Sequence, residues 1–439
     1  MKDETTTDKA ALTRREVLKT ASLASLATAF SATGGVFAAH ASERIRVGLI
    51  GCGGRGTGAA VDCTTASPDT VITALGDVFP DQLEWSLGQL KEKLPKERLA
   101  VTPETCFTGL DAYEKVVAAD VDLVILAAPP FFRPSHLAAA IGKGKHVFTE
   151  KPVAVDPIGV RSVIATAELA ASKGLAIVAG TQRRHQAHYL EIMKRVQGGD
   201  IGELVAGQCY WNMGALWVER AAQNWADRIV KDWSDMEWQI RNWLFTAWCS
   251  GDHIVEQHVH NLDVMNWAFG AHPVKATGMG GRAARTDPMY GDIFDHFAVE
   301  YEYPNGARVL SMCRQTAGAS ENVSERVVGT DGFSYTDSAD GYIKGEKAYE
   351  NEQASPNPYV QEHADLIASI KAGKPLNEGR QVAESTLTAI MGRMSAYTGH
   401  ALSWDWAMNA SKLDLTPPQM EFGALPPLEV AVPGKTPLV

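Results

Sequence analysis

Short apolar runs rich in Val, Ile and Leu alternate with helix-like segments in the first part of the chain. These runs cover residues 44–50, 71–77, 121–127, 145–150 and 175–181. Short β-rich runs separated by helical spans are typical of βαβ units, which build a parallel sheet. The pattern predicts a doubly wound α/β domain of the Rossmann type over residues 43–181.

The pattern changes after residue 181, where longer runs alternate between apolar and polar positions. "HFAVEYEYPNGARVLSM" (296–312) alternates on both sides of a Pro-Asn-Gly turn, a strong hairpin signal. Helical periodicity is predicted near 185–197, 255–269, 358–372 and 380–396. Residues 182–410 are therefore predicted to form an α+β domain with a mainly antiparallel sheet. The proline-rich stretch 411–439 is expected to be irregular and to form an arm against a neighbouring subunit.

The first 42 residues have the pattern of an export signal. Arg14 and Arg15 precede a weakly apolar Ala/Leu/Ser/Thr stretch, and "AHA" (39–41) fits a small-residue cleavage site. The segment resembles a twin-arginine signal, with Val17 where Phe is usual. The alternative, a membrane anchor, is disfavoured by the Ser, Thr and Gly content. We expect export to the periplasm in a folded, cofactor-loaded state, with no membrane span in the mature form.

Composition narrows the function classes. The chain is 45% hydrophobic and 21% charged, with a net charge of −11 and no basic run, which argues against nucleic-acid binding. The six cysteines show no C-x-x-C spacing, so neither a zinc site nor a disulfide framework is predicted.

A glycine-rich turn follows the first predicted strand. Gly51, Gly53 and Gly56 form G-x-G-x-x-G between a strand and a helix, and Asp77 ends the next strand. The glycines permit a tight turn, a close approach of pyrophosphate and close helix–strand packing. Asp77 would accept hydrogen bonds from ribose hydroxyls and repel a 2′-phosphate, so NAD(H) is favoured over NADP(H). The alternative is a glycine-rich turn with a helix-capping aspartate.

The predicted cofactor-binding set also includes residues from two further strand ends. Prolines at the carboxyl end of the fourth strand stop the sheet at the ligand crevice. His136 would cap the next helix or contact the cofactor. The full set from the turn and these strand ends is Gly51, Cys52, Gly53, Gly54, Arg55, Gly56, Asp77, Ala128, Pro129, Pro130, His136, Glu150 and Lys151. Within the turn, the charge of Arg55 would neutralise phosphate.

Four motifs in order, "GCGGRG", "AAPPFFRPSH", "GKHVFTEKP" and "HNLDVMNWAFG", resemble the glucose–fructose oxidoreductase / inositol dehydrogenase / rhizopine catabolism family (Gfo/Idh/MocA). The likeness covers roughly residues 44–404. It implies a Rossmann domain joined to a domain with a large open antiparallel sheet, which commonly builds homo-oligomers. Its members mostly oxidise or reduce a sugar or polyol carbon with NAD or NADP.

The resemblance also implies the role of the Glu-Lys-Pro motif. Lys151 would lie between nicotinamide and substrate and hydrogen-bond the reacting hydroxyl, while Glu150 would contact Lys151 or the nicotinamide ribose. The physical chemistry agrees, because a cation beside a carbinol oxygen stabilises the developing alkoxide. Pro152 often follows a cis peptide bond in the family. Without the surrounding match, Lys151 would be read as a surface lysine on a loop.

A second cluster lies in "HIVEQHVHNLDVMNW" (253–267). Glu256, His260, Asp263 and Trp267 have a spacing that puts them on one helix face. The resemblance assigns proton relay to His260, a role suited to imidazole. Glu256 replaces the usual aspartate, which puts its substrate contact in doubt. Neighbouring histidines do not follow zinc-ligand spacing, and we expect no metal.

Further residues are expected at the site from their position relative to these motifs. Gln182 corresponds to a position near the cofactor, whereas Arg184 and Tyr189 would face either the substrate or solvent. Seven of the eleven tryptophans fall between residues 211 and 248. Most are expected in packing or an oligomer interface, and one or two, such as Trp211 or Trp243, in a sugar pocket.

The sequence is compatible with three functions. The first is an oxidoreductase of sugars, polyols or glycosides that holds NAD(H) tightly. The second is an NAD-dependent glycoside hydrolase working by transient C3 oxidation, elimination, water addition and re-reduction. Members with that activity carry altered Glu-Lys-Pro and Asp-x-x-x-His motifs, so the retained Lys151 and His260 favour the first. The third is a cofactor-bearing binding protein without turnover.

Overall fold

A computed structural model describes residues 44–352 and 356–439. The predicted export signal and its cleavage site lie outside the described residues. The rest of the chain from residue 44 belongs to one compact unit.

The first domain has a parallel six-stranded sheet in the order β3-β2-β1-β4-β5-β6. Its strands are β1 (Ile45–Ile50), β2 (Thr70–Asp77), β3 (Cys106–Thr108), β4 (Leu123–Leu126), β5 (His146–Thr149) and β6 (Ile177–Ala179). The five predicted runs are all strands, which confirms the α/β prediction, while β3 is an additional short edge strand. The chain order reverses between β1 and β4. In such sheets the crevice at the carboxyl ends of these two strands receives the ligand.

The second domain has a nine-stranded sheet in the order β14-β13-β12-β11-β7-β10-β9-β8-β15. Its strands are β7 (Leu204–Met213), β8 (Lys275–Gly281), β9 (His296–Glu302), β10 (Arg308–Gln315), β11 (Asn322–Gly329), β12 (Gly332–Asp337), β13 (Gly341–Gly345), β14 (Tyr349–Glu350) and β15 (Leu402–Ser403). Only the β10–β7 pair is parallel, so the mainly antiparallel prediction is confirmed. The predicted hairpin joins β9 to β10, with Gly306 at φ +85° in its turn.

Helices cover both faces of the first sheet and one face of the second. They are α1 (Gly54–Ala66), α2 (Pro80–Lys93), α3 (Ala112–Ala118), α4 (Arg133–Gly142), α5 (Pro157–Ser172), α6 (Ala187–Gln197), α7 (Val218–Val230), α8 (Asp235–Arg241), α9 (Ala247–Ser250), α10 (His253–Glu256), α11 (Val259–Phe269), α12 (Pro358–Lys371) and α13 (Gly379–Thr398). Helix α5 begins where the Asp156 carboxylate accepts from the Gly159 amide at 2.7 Å, with Pro157 in the first turn.

One hydrophobic core runs through both domains. Buried residues of β4, β5 and α5 belong to the same cluster as those of α11, β9 and α13. Helix α13 packs against α5 of the first domain and against β8 of the second. Because apolar burial drives this packing, the two domains are held in a fixed relation by a shared interior rather than by a linker alone.

One detail of the second domain differs from the sequence-based predictions. The helix predicted over 255–269 is divided into α10 and α11. The division follows from anchoring to the sheet: Gln257 accepts from Gln315, and His258 Nε2 lies 2.7 Å from the Ser311 hydroxyl. The stretch 411–439 is irregular, as predicted, and within its own chain Leu415 N donates to Asp156 at 2.9 Å. Its contact with a neighbouring subunit stays a prediction.

Among the described residues, no helix is both long and apolar enough to cross a membrane.

Candidate active site

The glycine turn after β1 forms an open cradle at the start of α1. Gly51 has φ +95°, and a Cβ at Gly56 would lie 1.9 Å from the Gly51 carbonyl oxygen, so these two positions require glycine. At Gly53 and Gly54 a Cβ would meet no atom within 4 Å. Gly53 caps α1 without a side chain, so the first amides of the helix face open space. Such a terminus is suited to binding an anion.

Asp77 lies at the carboxyl end of β2, beside this cradle. Its carboxylate accepts from the Cys52 amide at 2.6 Å and from the Phe79 amide at 2.9 Å. Burial nevertheless raises the pKa of Asp77 above its usual value. Each oxygen retains a second lone pair, so the carboxylate can still accept from a ribose hydroxyl.

A cavity of about 820 Å³ extends from the glycine turn along the carboxyl edge of the first sheet. Of the predicted cofactor residues, those on its lining are Gly51, Gly53, Gly54, Arg55, Gly56, Asp77, Ala128, Pro129 and His136. Cys52 and Pro130 are buried near it, behind the lining. The volume lies within the range of small-molecule and cofactor sites.

His136 belongs to the wall of this cavity. It stacks on Tyr113, with ring centroids 4.2 Å apart, and on Phe132 at 5.8 Å. Burial lowers the pKa of His136 to about 3. It is therefore a neutral, packed imidazole in the first turn of α4, and it contributes a flat surface rather than a charge.

Arg55 is engaged by protein carboxylates. It forms ion pairs with Glu150, with Asp62 at 3.2 Å and with Glu362 at 3.3 Å, and it lies 4.9 Å from the Tyr359 ring centroid. The guanidinium charge predicted to neutralise phosphate is thus already balanced by carboxylates.

Glu150 follows β5 and Glu362 lies on α12, which packs against α1 and against β6 of the first sheet, and both contact this arginine. Burial would raise the pKa of Glu150, but Arg55 and Arg133 outweigh it and the pKa is lowered. Burial raises the pKa of Glu362 well above its usual value, and Glu150 adds to that effect. The pKa values of these two carboxyl groups are therefore shifted in opposite directions around the same guanidinium.

Lys151 contacts the second domain at Glu256. Its ammonium group donates to the Glu256 carbonyl oxygen and lies 3.1 Å from Oε1 of the same residue. Both side chains are 13% exposed. The Lys151–Pro152 peptide bond is cis, and Arg133 donates to the Pro152 carbonyl oxygen. The two predicted catalytic residues are therefore brought together by α10 and the end of β5.

His260, in the first turn of α11, lies in the electrostatic field of Lys151. Burial lowers the pKa of His260 well below its usual value, and the charges of Lys151 and Arg183 lower it further. The ring is 7% exposed and stacks on Trp211 at 5.8 Å. It makes no side-chain hydrogen bond to any residue the structure describes, so it is a neutral imidazole able to accept a proton.

A buried ion pair that the sequence analysis did not identify lies beneath His260 and Trp211. Arg183 pairs with Glu325 on β11 and lies 5.7 Å from the Trp211 ring centroid. Asn261 also donates to Glu325, at 2.6 Å. The sequence signal that could have identified this ion pair is a glutamate at an inward-facing position of an alternating strand, because a buried charge requires a partner.

The segment that enters the second domain differs from the prediction at Tyr189. Tyr189 is fully buried and donates to Glu325 at 2.9 Å, so the prediction that it faces substrate or solvent is wrong. Its ring fills the core because α6 turns this face inward. Gln182 donates to the Tyr359 hydroxyl at 3.4 Å, close to Arg55.

Arg184 is held by α11 rather than left free. It forms two hydrogen bonds with the Asp263 carboxylate, at 2.8 and 3.0 Å, and lies over Trp267 at 4.8 Å. Asp263 also accepts from Ser385 at 2.7 Å. Asp263 and Trp267 therefore share a helix face, as their spacing predicts, but both contact Arg184.

The two tryptophans proposed for a sugar pocket occupy different places. Trp211 stacks on His260, and its indole nitrogen is buried without a hydrogen-bond partner among the described residues. Trp243 lines the large cavity together with Trp217, with the two rings edge to face at 5.6 Å. Trp243 thus lies on the cofactor side of the site.

The remaining histidines of the 253–260 segment point to different partners. His253 Nδ1 lies 2.9 Å from Asp252, and His258 contacts Ser311 on the sheet. Within the part of the chain that the structure describes, no group of three or more His, Cys, Asp or Glu side chains is arranged to hold a metal ion.

Comparison with protein families gives two matches. The family model described as "Oxidoreductase family, NAD-binding Rossmann fold" matches residues 45–181. The model described as "GFO/IDH/MocA C-terminal domain" matches residues 189–334. The two models together span the glycine turn, Lys151, Glu256 and His260.

Individual relatives match only part of the chain. The chain is 32% identical to inositol 2-dehydrogenase 4 of Saccharopolyspora erythraea over 168 residues, which is 38% of this chain and 45% of that protein. It is 30% identical to a glycosyl hydrolase family 109 protein of Solibacter usitatus over 217 residues, 45% of each chain. The alignments thus span a little under half the length of these relatives.

Solved structures share the fold. A levoglucosan dehydrogenase solved with NADH and levoglucosan aligns with a TM-score of 0.65 at 14% identity, over 82% of this chain and 99% of that one.

Proposed function

Because the chain belongs to the Gfo/Idh/MocA oxidoreductase family, we propose that it is an NAD(H)-dependent oxidoreductase of a sugar, polyol or glycoside hydroxyl or carbonyl. One observation carries the proposal. Lys151 and His260, from different domains, share an electrostatic environment at the edge of the sheet that ends in the glycine turn.

The residues of the cleft fit a dinucleotide. The turn at Gly53 and Gly54 leaves room against the backbone, and the uncapped start of α1 presents amides to a pyrophosphate. Asp77 would accept from the adenosine ribose and disfavour a 2′-phosphate, which supports NAD(H) as the cofactor. When bound, the nicotinamide supplies a two-electron acceptor or donor for hydride transfer at the substrate carbon.

Lys151 and His260 divide the work on the substrate oxygen. The Lys151 ammonium stabilises negative charge as it develops on that oxygen, in a site where low exposure strengthens the interaction. Neutral His260 accepts the hydroxyl proton during oxidation and returns it during reduction. Its lowered pKa favours the unprotonated form, which is the form able to accept a proton.

Glu256 acts as the positioning residue for Lys151. Its backbone carbonyl and its carboxylate both accept from the ammonium, so the flexible lysine is held toward α11. The longer glutamate side chain reaches Lys151 directly. We therefore assign Glu256 to orienting the lysine and contacting the substrate, with Arg184 and Trp211 as neighbouring walls.

The first experiment is to analyse the purified protein for bound dinucleotide by mass spectrometry, and then to add a panel of sugars and polyols. Appearance of the absorbance of reduced nicotinamide with a panel member, and its loss in His260→Ala, is the expected result. A protein that neither carries nor binds NAD or NADP would overturn the proposal.

A glycoside hydrolase is the second candidate, since one relative is named as a family 109 glycosyl hydrolase. Transient oxidation would acidify the neighbouring C–H, and the aglycone would leave by elimination before water adds and the carbonyl is reduced. An aryl glycoside separates the two functions. Release of the phenol with no net change in cofactor supports the hydrolase, while cofactor reduction without phenol release supports the oxidoreductase.

We also propose export by the twin-arginine route to the periplasm, on the basis of Arg14, Arg15 and the small residues at 39–41. There a tightly held cofactor would have to be regenerated by a second substrate or by an external acceptor. Replacing both arginines with lysine should retain a reporter fusion in the cytoplasm. Unchanged export of that variant would contradict the route.

Assembly into a homo-oligomer is proposed from the outer face of the large sheet. Met279, Leu310 and Met312 are exposed on β8 and β10, and the register places Met279 and Met312 on either side of Ala298. Such an apolar strip is typical of an interface. Met312→Lys should therefore reduce the mass measured by light scattering.

A further inference from the structure

The wall of the cavity opposite the glycine turn is built by the second domain. We call residues 217–243, which contain α7 and α8, the cover segment. Trp217, Arg220, Asn224, Arg241 and Trp243 of this segment line the same cavity as Gly53 and Asp77. A ligand lying on the glycine turn would therefore be enclosed between the two domains.

The cover segment forms an ion pair with the first domain just after Asp77. The guanidinium of Arg241 forms a bidentate ion pair with Asp81, at 2.9 and 3.0 Å, and lies 3.8 Å from the Phe79 ring centroid. Phe79 and Asp81 follow the aspartate that is placed to contact the adenosine ribose. The ion pair between Arg241 and Asp81 thus lies on the adenosine side of the cleft.

Inside the segment, Asn224 ties α7 to α8. Its amide donates to the Arg241 carbonyl oxygen at 3.1 Å and contacts the Asn242 side chain at 3.4 Å. Glu237 holds the Arg241 guanidinium from within α8 at 3.0 Å. Because α7 is coupled in this way to the ion pair at Asp81, the side chains on its cavity face are fixed relative to the first domain.

Most of the cations on the cavity lining are already neutralised. Arg55 pairs with Glu150 and Glu362, Arg241 pairs with Asp81, and Lys231 pairs with Asp227 at 2.9 Å. These groups can add little further attraction for an anion, since their charges are balanced by carboxylates.

Arg220 differs from these cations. Its guanidinium lies 4.9 Å from the Trp217 ring centroid and has no carboxylate partner among the residues the structure describes. The residue is exposed at the edge of the cavity; partial desolvation of its guanidinium and the nearby charge of Arg241 lower the pKa of Arg220, and no opposing carboxylate raises it. An uncompensated guanidinium on a cavity wall is the group best suited to bind a phosphate, because its fork of donors matches phosphate oxygens.

We propose that Arg220 binds a phosphate group of the dinucleotide, and that the cover segment retains the cofactor by lying over it. The inference rests on the proposed function, which places a dinucleotide in this cleft. The glycine turn contributes backbone amides on one side, and Arg220 contributes the cation from the other domain. The phosphate is either the pyrophosphate common to both cofactors or the 2′-phosphate of NADP.

The test compares wild type, Arg220→Gln and Arg220→Lys after removal of bound cofactor, with Glu219→Gln as control. Glu219 is exposed on the same helix turn and does not line the cavity. Dissociation constants for NAD, NADP and adenosine are measured by calorimetry, and the rate of NAD loss by fluorescence. A charge-assisted hydrogen bond of about 1.5–3 kcal/mol corresponds to roughly a 10- to 150-fold weakening of NAD binding in Arg220→Gln.

The outcomes distinguish which phosphate Arg220 binds and whether it binds one at all. Equal weakening of NAD and NADP with adenosine unchanged identifies the pyrophosphate, while a loss confined to NADP identifies the 2′-phosphate. Arg220→Lys should recover part of the loss. If Arg220→Gln binds both dinucleotides like wild type, or if adenosine weakens equally, the inference is overturned while the proposed function stands. If wild type itself binds neither dinucleotide, the proposed function fails instead.

Discussion

Replacing Lys151 with methionine should slow hydride transfer and move the pH profile at the same time. The side chain keeps nearly the same length but loses the charge that contacts Glu256 at 3.1 Å and acts on His260. Loss of one donor to a developing oxyanion typically reduces kcat by roughly 10²–10³-fold, about 2.7–4 kcal/mol. The low exposure of Lys151 places the expected effect at the upper end, because water replaces the ammonium poorly there.

The direction of the pH shift follows from the surroundings of His260. Protonated His260 accepts no proton, so the rate of oxidation falls as the pH drops through its pKa. Burial is the largest cause of the lowered pKa of His260, and the charge of Lys151 is the second. Without that charge the pKa rises, although burial still holds it below the usual value. The acid limb of Lys151→Met should therefore lie at higher pH than that of wild type.

The assay is single-turnover reduction of bound cofactor, followed by nicotinamide absorbance as a function of pH. Lys151→Arg keeps the charge and should leave the acid limb in place while lowering the rate. Lys145→Met is the matched control, since Lys145 donates to the Val121 carbonyl oxygen at 2.8 Å, away from the site. An unchanged rate in Lys151→Met, or an acid limb displaced to lower pH, would refute the reasoning.

Three further predictions follow from the same structure. Gly56→Ala should abolish NAD binding measured by calorimetry, since its Cβ would lie 1.9 Å from a carbonyl oxygen, whereas Gly58→Ala has space and should bind normally. Asp77→Asn should raise the ratio of NADP to NAD affinity about tenfold or more, equivalent to about 1.4 kcal/mol, and an unchanged ratio would exclude its role in selection. Glu325→Gln should lower the free energy of unfolding in urea by about 3–5 kcal/mol, because Arg183 is left buried and unbalanced; a loss below about 1 kcal/mol would contradict this.

The first sheet could be predicted because its strands are buried on both faces and read as continuous apolar runs. The short edge strand β3 was not predicted, because three residues are too few to show a pattern of apolar positions. The break between α10 and α11 could not be seen in a helical spacing, since it arises when Gln257 and His258 bond to strand β10. Local periodicity does not record contacts made across the chain.

The site residues divide in the same way. Gly56, Asp77 and Lys151 are tied to motifs with fixed positions at strand ends, so their places followed from the sequence. The prediction that Tyr189 faces substrate or solvent is wrong because an aromatic ring with a hydroxyl group suits both a ligand pocket and a protein core. Arg220 had no motif around it, and only the folded position of α7 brings it to the cleft.

The arginine shared by Glu150 and Glu362 links the packing of α12 on α1 to the pH of the solvent. One guanidinium lies beside two carboxylates, and the pKa of Glu362 is raised by burial and then by Glu150. Any motion that carries Glu362 away from Glu150 and into water returns that pKa toward its usual value, and the acid then ionises. Detachment of α12 from α1 would thus release a proton, so alkaline conditions favour its detachment and acidic conditions keep it packed on the first domain.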